Sequence, residues 1–228
     1  MIAYKIKSSI LSIVILFTSY GCKKEVTDGT LVNKRTRYAV TFMIDWNATD
    51  YPVDYPGNAH FSRLIGWSHA STSSFFQLGT LASNGIKDMA ELGKTTPLDE
   101  EINERITDRE GLALVIGDQL SGTGVGTITV EIEVDETRPS VTLATMLAPS
   151  PDWFLAVVNV NLMENGQFKE STTVNGLVYD AGTDNGSTYA SANNPTSPAE
   201  PIALLENSPL GNANTTQPIA QVVFTKIN

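Results

Sequence analysis

Strict alternation of apolar and polar residues is the feature that most constrains the fold of this chain. Every second residue is large and apolar in two segments, 38–46 and 128–134. Successive side chains of a β-strand point to opposite faces, so each segment would turn one apolar face toward a core. Further strand candidates are residues 141–147, 153–163 and 219–227. Several strands separated by glycine, proline and asparagine turns predict an all-β fold, an antiparallel β-sandwich.

Helical spacing of apolar residues occurs only in the middle of the chain. Residues 84–92 follow this spacing and are succeeded by Gly93, a residue type that often ends a helix. A second helix is predicted from Thr96 to about Ile106, because a proline and three acids follow Thr96 and suit a first turn. We expect the Thr96 hydroxyl to cap the free amides of this turn. The acids, to which we assign a structural role, are Asp99, Glu100 and Glu101.

The start of the chain has the features of an export signal. Two lysines precede an apolar run at residues 10–17, which is too short for a membrane span of about twenty residues. The run is followed by Cys22, the only cysteine of the chain, directly after a glycine. This arrangement resembles a bacterial lipoprotein signal, in which the cysteine is lipidated and becomes the new N-terminus. The alternative is a soluble secreted protein whose cysteine is removed with the signal.

The lipoprotein interpretation divides the chain into three parts. Residues 1–21 are predicted to be a signal peptide, residues 22–35 a polar tether after lipidated Cys22, and residues 36–228 the folded domain. The expected location is the bacterial cell envelope, as an outer membrane lipoprotein that is periplasmic or surface-exposed. With a single cysteine the domain cannot form an internal disulfide, so its stability depends on its core, its hydrogen bonds and any bound metal.

The charge of the chain limits its partners. Removal of the signal takes away two of the 15 basic residues and none of the 25 acidic ones, which leaves a net charge of −12. Nucleic acid is therefore not expected as a partner. Cations, basic protein patches and neutral sugars stay open, because net charge restricts partners without naming a fold.

Two loops concentrate carboxylates, and one of them directly precedes a predicted strand. Asp180 and Asp184 stand four residues apart in a glycine-rich stretch that is unsuited to a helix or strand interior. Asp152 follows a rigid proline turn and directly precedes Trp153, at the start of an apolar strand. If the strands carry both loops to one end of the sandwich, three carboxylates converge, and their repulsion favours a hard cation such as calcium. The EF-hand pattern is absent, and an ordinary aspartate-rich turn is the alternative.

Signatures of an enzyme are weak. The two histidines, His60 and His69, lie nine residues apart and match no zinc-binding motif. The nearby serines lack the glycine-flanked context of a nucleophile elbow, so both histidines are expected to be buried and structural. Paired carboxylates could serve glycoside hydrolysis, where geometry decides the outcome. A hydrolase that uses the same aspartates is therefore an alternative to a role without catalysis.

Several motifs resemble those of the spondin domain family, the domain shared by F-spondin and mindin. The most specific are P-S-P-D-W at residues 149–153 and D-A-G-T-D at residues 180–184, and the resemblance covers about residues 38–227. It implies a C2-like β-sandwich with a bound metal ion, expected to be calcium, and a role in extracellular adhesion and recognition. By this resemblance the metal ligands are Asp152, Asp180 and Asp184.

The chain also differs from the animal proteins of that family. It has a lipoprotein-like signal, lacks the cysteines that would crosslink the domain, and shows no thrombospondin-type repeat. Ligands of the animal members are therefore not carried over. The hypothesis is a lipid-anchored, calcium-binding adhesion or recognition module without catalysis, held to the membrane by its anchor and binding an unknown protein or glycan. A purely structural metal site is the other alternative.

Overall fold

β-strands form most of the regular structure in this computed structural model, which describes residues 33–206, 209–210 and 218–228. Two short helices interrupt the strands, which confirms the prediction of an all-β sandwich with inserted helices. The strands are β1 Arg35–Asp45, β2 His60–Phe61, β3 Ile65–His69, β4 Gly111–Ile116, β5 Val125–Asp135, β6 Ser140–Ala148, β7 Trp153–Asn161, β8 Met163–Glu164, β9 Gln167–Phe168, β10 Ser171–Asp180, β11 Ala203–Leu204 and β12 Ala220–Lys226. The helices are α1 Asn84–Leu92 and α2 Leu98–Thr107.

The strands follow one antiparallel path with the order β4, β3, β6, β7, β10, β12, β1, β5. Strand β10 belongs to both layers of the sandwich, because its second part pairs with β7 and its first part with β12. The layer on one side contains β4, β3, β6 and β7, and the other contains β12, β1 and β5. The main core fills the space between them.

The predicted alternation is confirmed in β1 and β5. In β1, the side chains of Tyr38, Val40, Phe42 and Ile44 are all buried in the main core, and Trp46 continues this face beyond the strand. The β1–β5 ladder is unbroken from the pair Arg35–Asp135 to the pair Asp45–Val125. This regular ladder gives the sandwich a well-defined long axis.

The strand directions place different residues at the two ends of that axis. Strands β1 and β10 both pair antiparallel with β12, so they run in the same direction. The chain therefore enters the sandwich with Arg35 at one end, and β10 delivers Asp180 to the other end. An 11-residue strand such as β1 is roughly 35 Å long, which is the separation that this geometry sets between the ends.

The helices cover the outer face of the β3–β6–β7 layer and form a second core there. Helix α1 has the predicted bounds and ends at Gly93, whose φ of 66° is left-handed. The expected cap of α2 is wrong: the Thr96 hydroxyl donates to the Asp99 side chain at 3.0 Å, and the N-cap Pro97 has no side-chain cap. Instead, the carboxylate of Glu101 in α2 accepts hydrogen bonds from Ser83 and Gly85 at the start of α1.

The signal peptide, Cys22 and most of the tether lie outside the described residues. The described chain starts at Asn33, and β1 begins at Arg35, the last residue of the predicted tether. In the described ranges, neither helix has the length and apolarity that a membrane span requires.

Candidate functional site

The fold places Asp152 and Asp180 side by side at one end of the sandwich, which we call the acidic end. Strand β7 begins at Trp153 and β10 ends at Asp180, and these two residues are paired. The backbone N–H of Ala181 also donates to the carbonyl of Asp152 at 3.1 Å. The Ser150 hydroxyl accepts the Trp153 N–H at 3.1 Å and fixes the turn that presents Asp152. The two acidic loops thus start from adjacent strand ends.

The Asp152 carboxylate is fully buried and only half satisfied. Its Oδ2 accepts the backbone N–H groups of Thr183 at 2.7 Å and Asp184 at 3.1 Å, and the Thr183 hydroxyl at 3.2 Å. Its Oδ1 has no hydrogen-bond partner among the described residues. Burial, followed by the negative charge of Asp180, raises the pKa of Asp152 to about 6. A buried charge of this kind is costly unless a cation or further donors compensate it.

Asp180 lies in the same negative field. Its Oδ1 accepts the Gly182 N–H at 2.8 Å. Burial raises the pKa of Asp180, and the charges of Glu200 and Asp184 raise it further, whereas the Gly182 N–H and the nearby Trp153 indole lower it. That indole N–H lies outside hydrogen-bond geometry. Two carboxylates with raised pKa values therefore lie next to each other.

The Asp184 carboxylate makes a different kind of contact, within its own loop. Its Oδ1 accepts the Gly186 N–H and its Oδ2 accepts the Asn194 N–H, both at 2.7 Å. The carboxylate therefore ties together two segments of its own loop, while the backbone N–H of Asp184 binds Asp152. Across residues 33–206, 209–210 and 218–228, no three acidic, histidine or cysteine side chains are arranged as a metal-binding group. The structure brings Asp152 and Asp180 together and gives the third predicted ligand a loop-closing role.

Sequence reasoning missed Glu200 as a member of this charged region. Its backbone N–H donates to the Gly182 carbonyl at 2.8 Å, and a Cβ on Gly182 would lie 2.2 Å from the Glu200 carbonyl oxygen. Glycine is therefore required at 182, where φ is also +71°. The contact joins residues far apart in sequence, so no local pattern could have revealed it.

The two histidines lie in different environments. His69 is buried, its Nδ1 donates to the Ala70 carbonyl at 2.8 Å, and its Nε2 accepts the Thr142 hydroxyl at 2.8 Å. Burial, with Arg105 nearby, lowers the pKa of His69 to about 4 against the raising effect of the Ala70 carbonyl. His60 is half-buried and its Nδ1 contacts the Asn58 carbonyl at 2.7 Å. The expected burial therefore holds for His69 and is wrong for His60.

Burial limits the chemistry that is open to the Asp152 carboxyl. A raised carboxyl pKa beside a second carboxylate can mark a general acid. A catalytic carboxyl must reach its substrate, however, and the Asp152 side chain is 0% exposed. An oxygen that is buried and unpaired can instead coordinate a small, hard cation.

The sequence matches the family model described as Spondin_N over residues 36–216. Spondin-2 from Rattus norvegicus is 32% identical over 203 residues, which cover 84% of this chain and 62% of that protein. Spondin-2 from Homo sapiens is 30% identical over 203 residues, with 84% and 61% covered. Spondin-1 from Rattus norvegicus is 34% identical over 177 residues, with 74% and 22% covered. The chain thus spans less than two thirds of the length of each of these relatives.

Proposed function

The chain belongs to the Spondin_N family, and from that membership we propose that it is an extracytoplasmic recognition module that binds calcium and has no catalytic activity. The family match includes both acidic loops, so we assign the proposed function to the residues of the acidic end. Adhesion to a protein or glycan partner is the proposed role of the surface around them.

The unpaired Oδ1 of Asp152 is the observation that carries the calcium proposal. This oxygen is buried, belongs to a carboxylate whose charge is uncompensated, and lies beside Asp180. Calcium binds carboxylate and carbonyl oxygens and needs six to eight of them, so water and backbone oxygens would complete its shell. Asp152 and Asp180 are the proposed primary ligands. Asp184, the third predicted ligand, would contribute through the lone pairs that its two loop contacts leave over.

The bound ion would supply positive charge between two loops that repel each other. Without it, the fold must hold Asp152 and Asp180 together against their mutual repulsion. Hydrogen bonds within the chain position the two loops, because the N–H groups of Thr183 and Ala181 attach the second loop to Asp152. Calcium would thus order the acidic end and the surface that it presents.

The direction of the sandwich supports a surface role for the acidic end. The chain enters β1 at Arg35, at the end opposite to Asp180. If Cys22 is lipidated in a bacterial outer membrane, as we propose, the tether joins the sandwich at the end where β1 begins. The acidic end is the opposite end of the sandwich, and the proposed protein or glycan partner would bind there.

Thermal unfolding of residues 33–228, with calcium and then with a chelator, tests the metal site. For a dissociation constant of about 0.1 mM, about 2 mM calcium adds roughly 1.8 kcal/mol to the free energy of unfolding. The midpoint would rise by roughly 4 to 7 °C for a domain of this size. The Asp180→Asn variant is expected to lose the shift, and magnesium at the same concentration serves as the control ion. If no shift occurs and elemental analysis finds no calcium in the protein, the calcium proposal is wrong.

A separate measurement distinguishes recognition from a purely structural metal site. Whole cells that display the protein would be tested for adhesion to protein and glycan arrays, with calcium and with chelator. A recognition role predicts calcium-dependent binding that Asp180→Asn abolishes. If thermal stabilisation by calcium is intact but no surface of the arrays is bound, the site is structural only.

A further inference from the structure

A second feature near the acidic end has the form of a binding site. It is a cleft of 760 Å³, which lies within the size range of ligand pockets in proteins. We call it the aromatic cleft. Two segments line it, one after β1 and one after the second acidic loop, and neither contributes a lysine or arginine. The lining residues are Ala48, Pro52, Asp54, Tyr55, Thr188 and Ala190.

Aromatic rings pack continuously beneath this cleft. The ring of Tyr55 meets the edge of Trp46 with centroids 5.2 Å apart, and Trp46 lies 5.3 Å from Tyr189. The Tyr55 hydroxyl donates to the Trp46 carbonyl at 2.8 Å, which fixes the orientation of its half-buried ring. Because the faces of aromatic rings carry negative charge density, such a ring attracts cations, and arginine most often.

The hydroxyl of Tyr189, the residue between the lining residues Thr188 and Ala190, is an unsatisfied polar group. Tyr189 is 3% exposed, and its hydroxyl has no hydrogen-bond partner among the described residues. Burial raises the pKa of Tyr189, and the neighbouring charges of Tyr55, Asp54 and Tyr51 raise it further, although the Trp46 indole opposes them. Asp54 and Tyr55, which line the cleft, are therefore near enough to act on this hydroxyl. A buried hydroxyl of this kind is normally paired.

The carboxylates around the cleft lack positive partners. The ion pairs of the described residues involve none of Asp45, Asp50 and Asp54. The amide of Asn47 instead bridges Asp45 and Asp50, with donor distances of 2.9 and 2.8 Å. A neutral amide orients these carboxylates without cancelling their charge. The cleft thus combines an aromatic face with uncompensated negative charge.

We propose that the aromatic cleft binds an arginine side chain presented by a basic segment of a partner protein. A planar guanidinium can stack on Tyr55 while it donates to the Asp54 carboxylate, which a neutral side chain of the same shape cannot do. The inference rests on the proposed recognition role but not on the calcium site, because no lining residue is a proposed calcium ligand.

The test is a titration of ¹⁵N-labelled residues 33–228 with an acetylated, amidated hexapeptide of alternating glycine and arginine, at physiological salt. The expected result is a set of amide shift changes centred on Asp54, Tyr55, Thr188 and Ala190. The same peptide with citrulline in place of arginine keeps the shape and removes the charge, so its affinity should be at least fivefold weaker, of the order that one exposed ion pair contributes.

Three variants sharpen the titration. Asp54→Asn removes one charge and keeps a residue type that tolerates the left-handed φ of 51°, so the affinity should fall about fivefold while the fold is retained. Glu136→Gln removes the same charge beside Asp135, at the opposite end of the β1–β5 ladder, and should leave the affinity unchanged. Ala190→Arg fills the cleft from an exposed position and should abolish binding.

Equal binding of the citrulline peptide, or equal effects of Asp54→Asn and Glu136→Gln, would overturn the proposal, because binding would then be non-specific. The titration is run in calcium and in chelator. Loss of peptide binding with an intact calcium-induced thermal shift refutes the cleft alone. Peptide binding without any thermal shift refutes the calcium site alone.

Discussion

Asp135 and Asp152 are both fully buried aspartates, but the protein compensates their charges in opposite ways. Asp135 forms an ion pair with Arg138 at 2.5 Å, and its Oδ1 accepts the Thr137 N–H, the Thr137 hydroxyl and the Arg138 N–H. Burial alone would raise the pKa of Asp135, but Arg138 and Thr137 outweigh it and the pKa is lowered. Asp152 has donors on one oxygen only and a second carboxylate beside it, so its pKa is raised.

The comparison shows how a structural carboxylate differs from a candidate ligand. Asp135 lies at the end of the sandwich where the chain enters, and the residues that follow it in sequence neutralise it completely. Asp152 lies at the acidic end, where the charged side chain that acts on its pKa is another acid, Asp180. Burial and residue type are the same, so the partners decide the role. Four changes test whether the partners of a buried carboxylate decide its role.

The largest effect is expected from Asp135→Ala. The change leaves Arg138, whose side chain is 20% exposed, without its partner, and it unties the turn at Thr137. Removal of one member of a buried ion pair typically costs about 3 to 5 kcal/mol. Urea unfolding should show this loss equally with calcium and with chelator. The exposed neighbour Glu136→Gln is the control, with a change within about 0.5 kcal/mol. A loss for Asp135→Ala below about 1 kcal/mol would contradict a compensated pair.

Acid is expected to produce the next largest effect, through His69. Its pKa of about 4 lies below the ordinary value, so between pH 6.5 and 4 the unfolded chain binds a proton that the folded chain does not. Stability is therefore complete above pH 6.5 and falls as the pH drops through this window, by on the order of 3 kcal/mol. The raised pKa of Asp152 acts with the opposite sign over an overlapping range, because the folded chain takes up that proton more readily.

The Asp152→Asn background removes one opposing titration, and the raised pKa of Asp180 leaves another, so the contribution of His69 is taken from the difference that His69→Gln makes in this background. Urea unfolding at pH 7 and pH 4.5 should show the loss, and the further change His69→Gln should remove most of the difference. A ring of His69 that titrates near pH 6.5 in NMR spectra would contradict the depressed pKa. The experiment also separates the effect of acid on His69 from the contrast between Asp135 and Asp152.

Asp152→Asn is expected to have a smaller effect on stability, which is stabilising when calcium is absent. An asparagine oxygen can still accept the N–H groups of Thr183 and Asp184, and its amide can donate toward Asp180. In chelator the variant should therefore be more stable by about 1 to 2 kcal/mol, because a buried charge is removed. With calcium the wild type gains stability and the variant does not. Asp135→Asn, the matched change at the other aspartate, should destabilise the protein with calcium and with chelator. If both variants change the stability in chelator with the same sign, the two aspartates do not differ in the way described.

The sequence was sufficient for features that depend on local pattern. Alternation located β1 and β5, and the helical spacing with Gly93 located α1 with its observed bounds. The sequence also placed Asp152 at the start of a strand, but β10, which ends at Asp180, was not predicted, so the nearness of the two aspartates stayed conditional. The partners of those aspartates did not follow. Glu200 reaches the acidic end through a long-range backbone contact, and the use of Asp184 to close its loop depends on where Asn194 folds back.

Glu101 shows the same limit on a smaller scale. Its local setting predicted a role in the first turn of α2, yet its carboxylate accepts the Ser83 hydroxyl at 2.6 Å and the Gly85 N–H at 2.7 Å, at the start of α1. Like Asp135, it is compensated by its own chain, although by neutral donors. Such a contact contributes about 1 kcal/mol.

Glu101→Ala should therefore lower the free energy of unfolding by about 1 kcal/mol. This loss should not depend on calcium, because Ser83 and Gly85, the partners of the Glu101 carboxylate, cap a helix and are far from the acidic loops in sequence. The exposed Glu100→Ala in the same helix is the control and should change stability by less than about 0.5 kcal/mol. If the two variants lose equal stability, Glu101 acts only through the first turn of α2, and the cap on α1 contributes nothing. If instead the loss at Glu101 depends on calcium, acids outside the acidic end also respond to the ion, and the distinction drawn from Asp135 and Asp152 would fail.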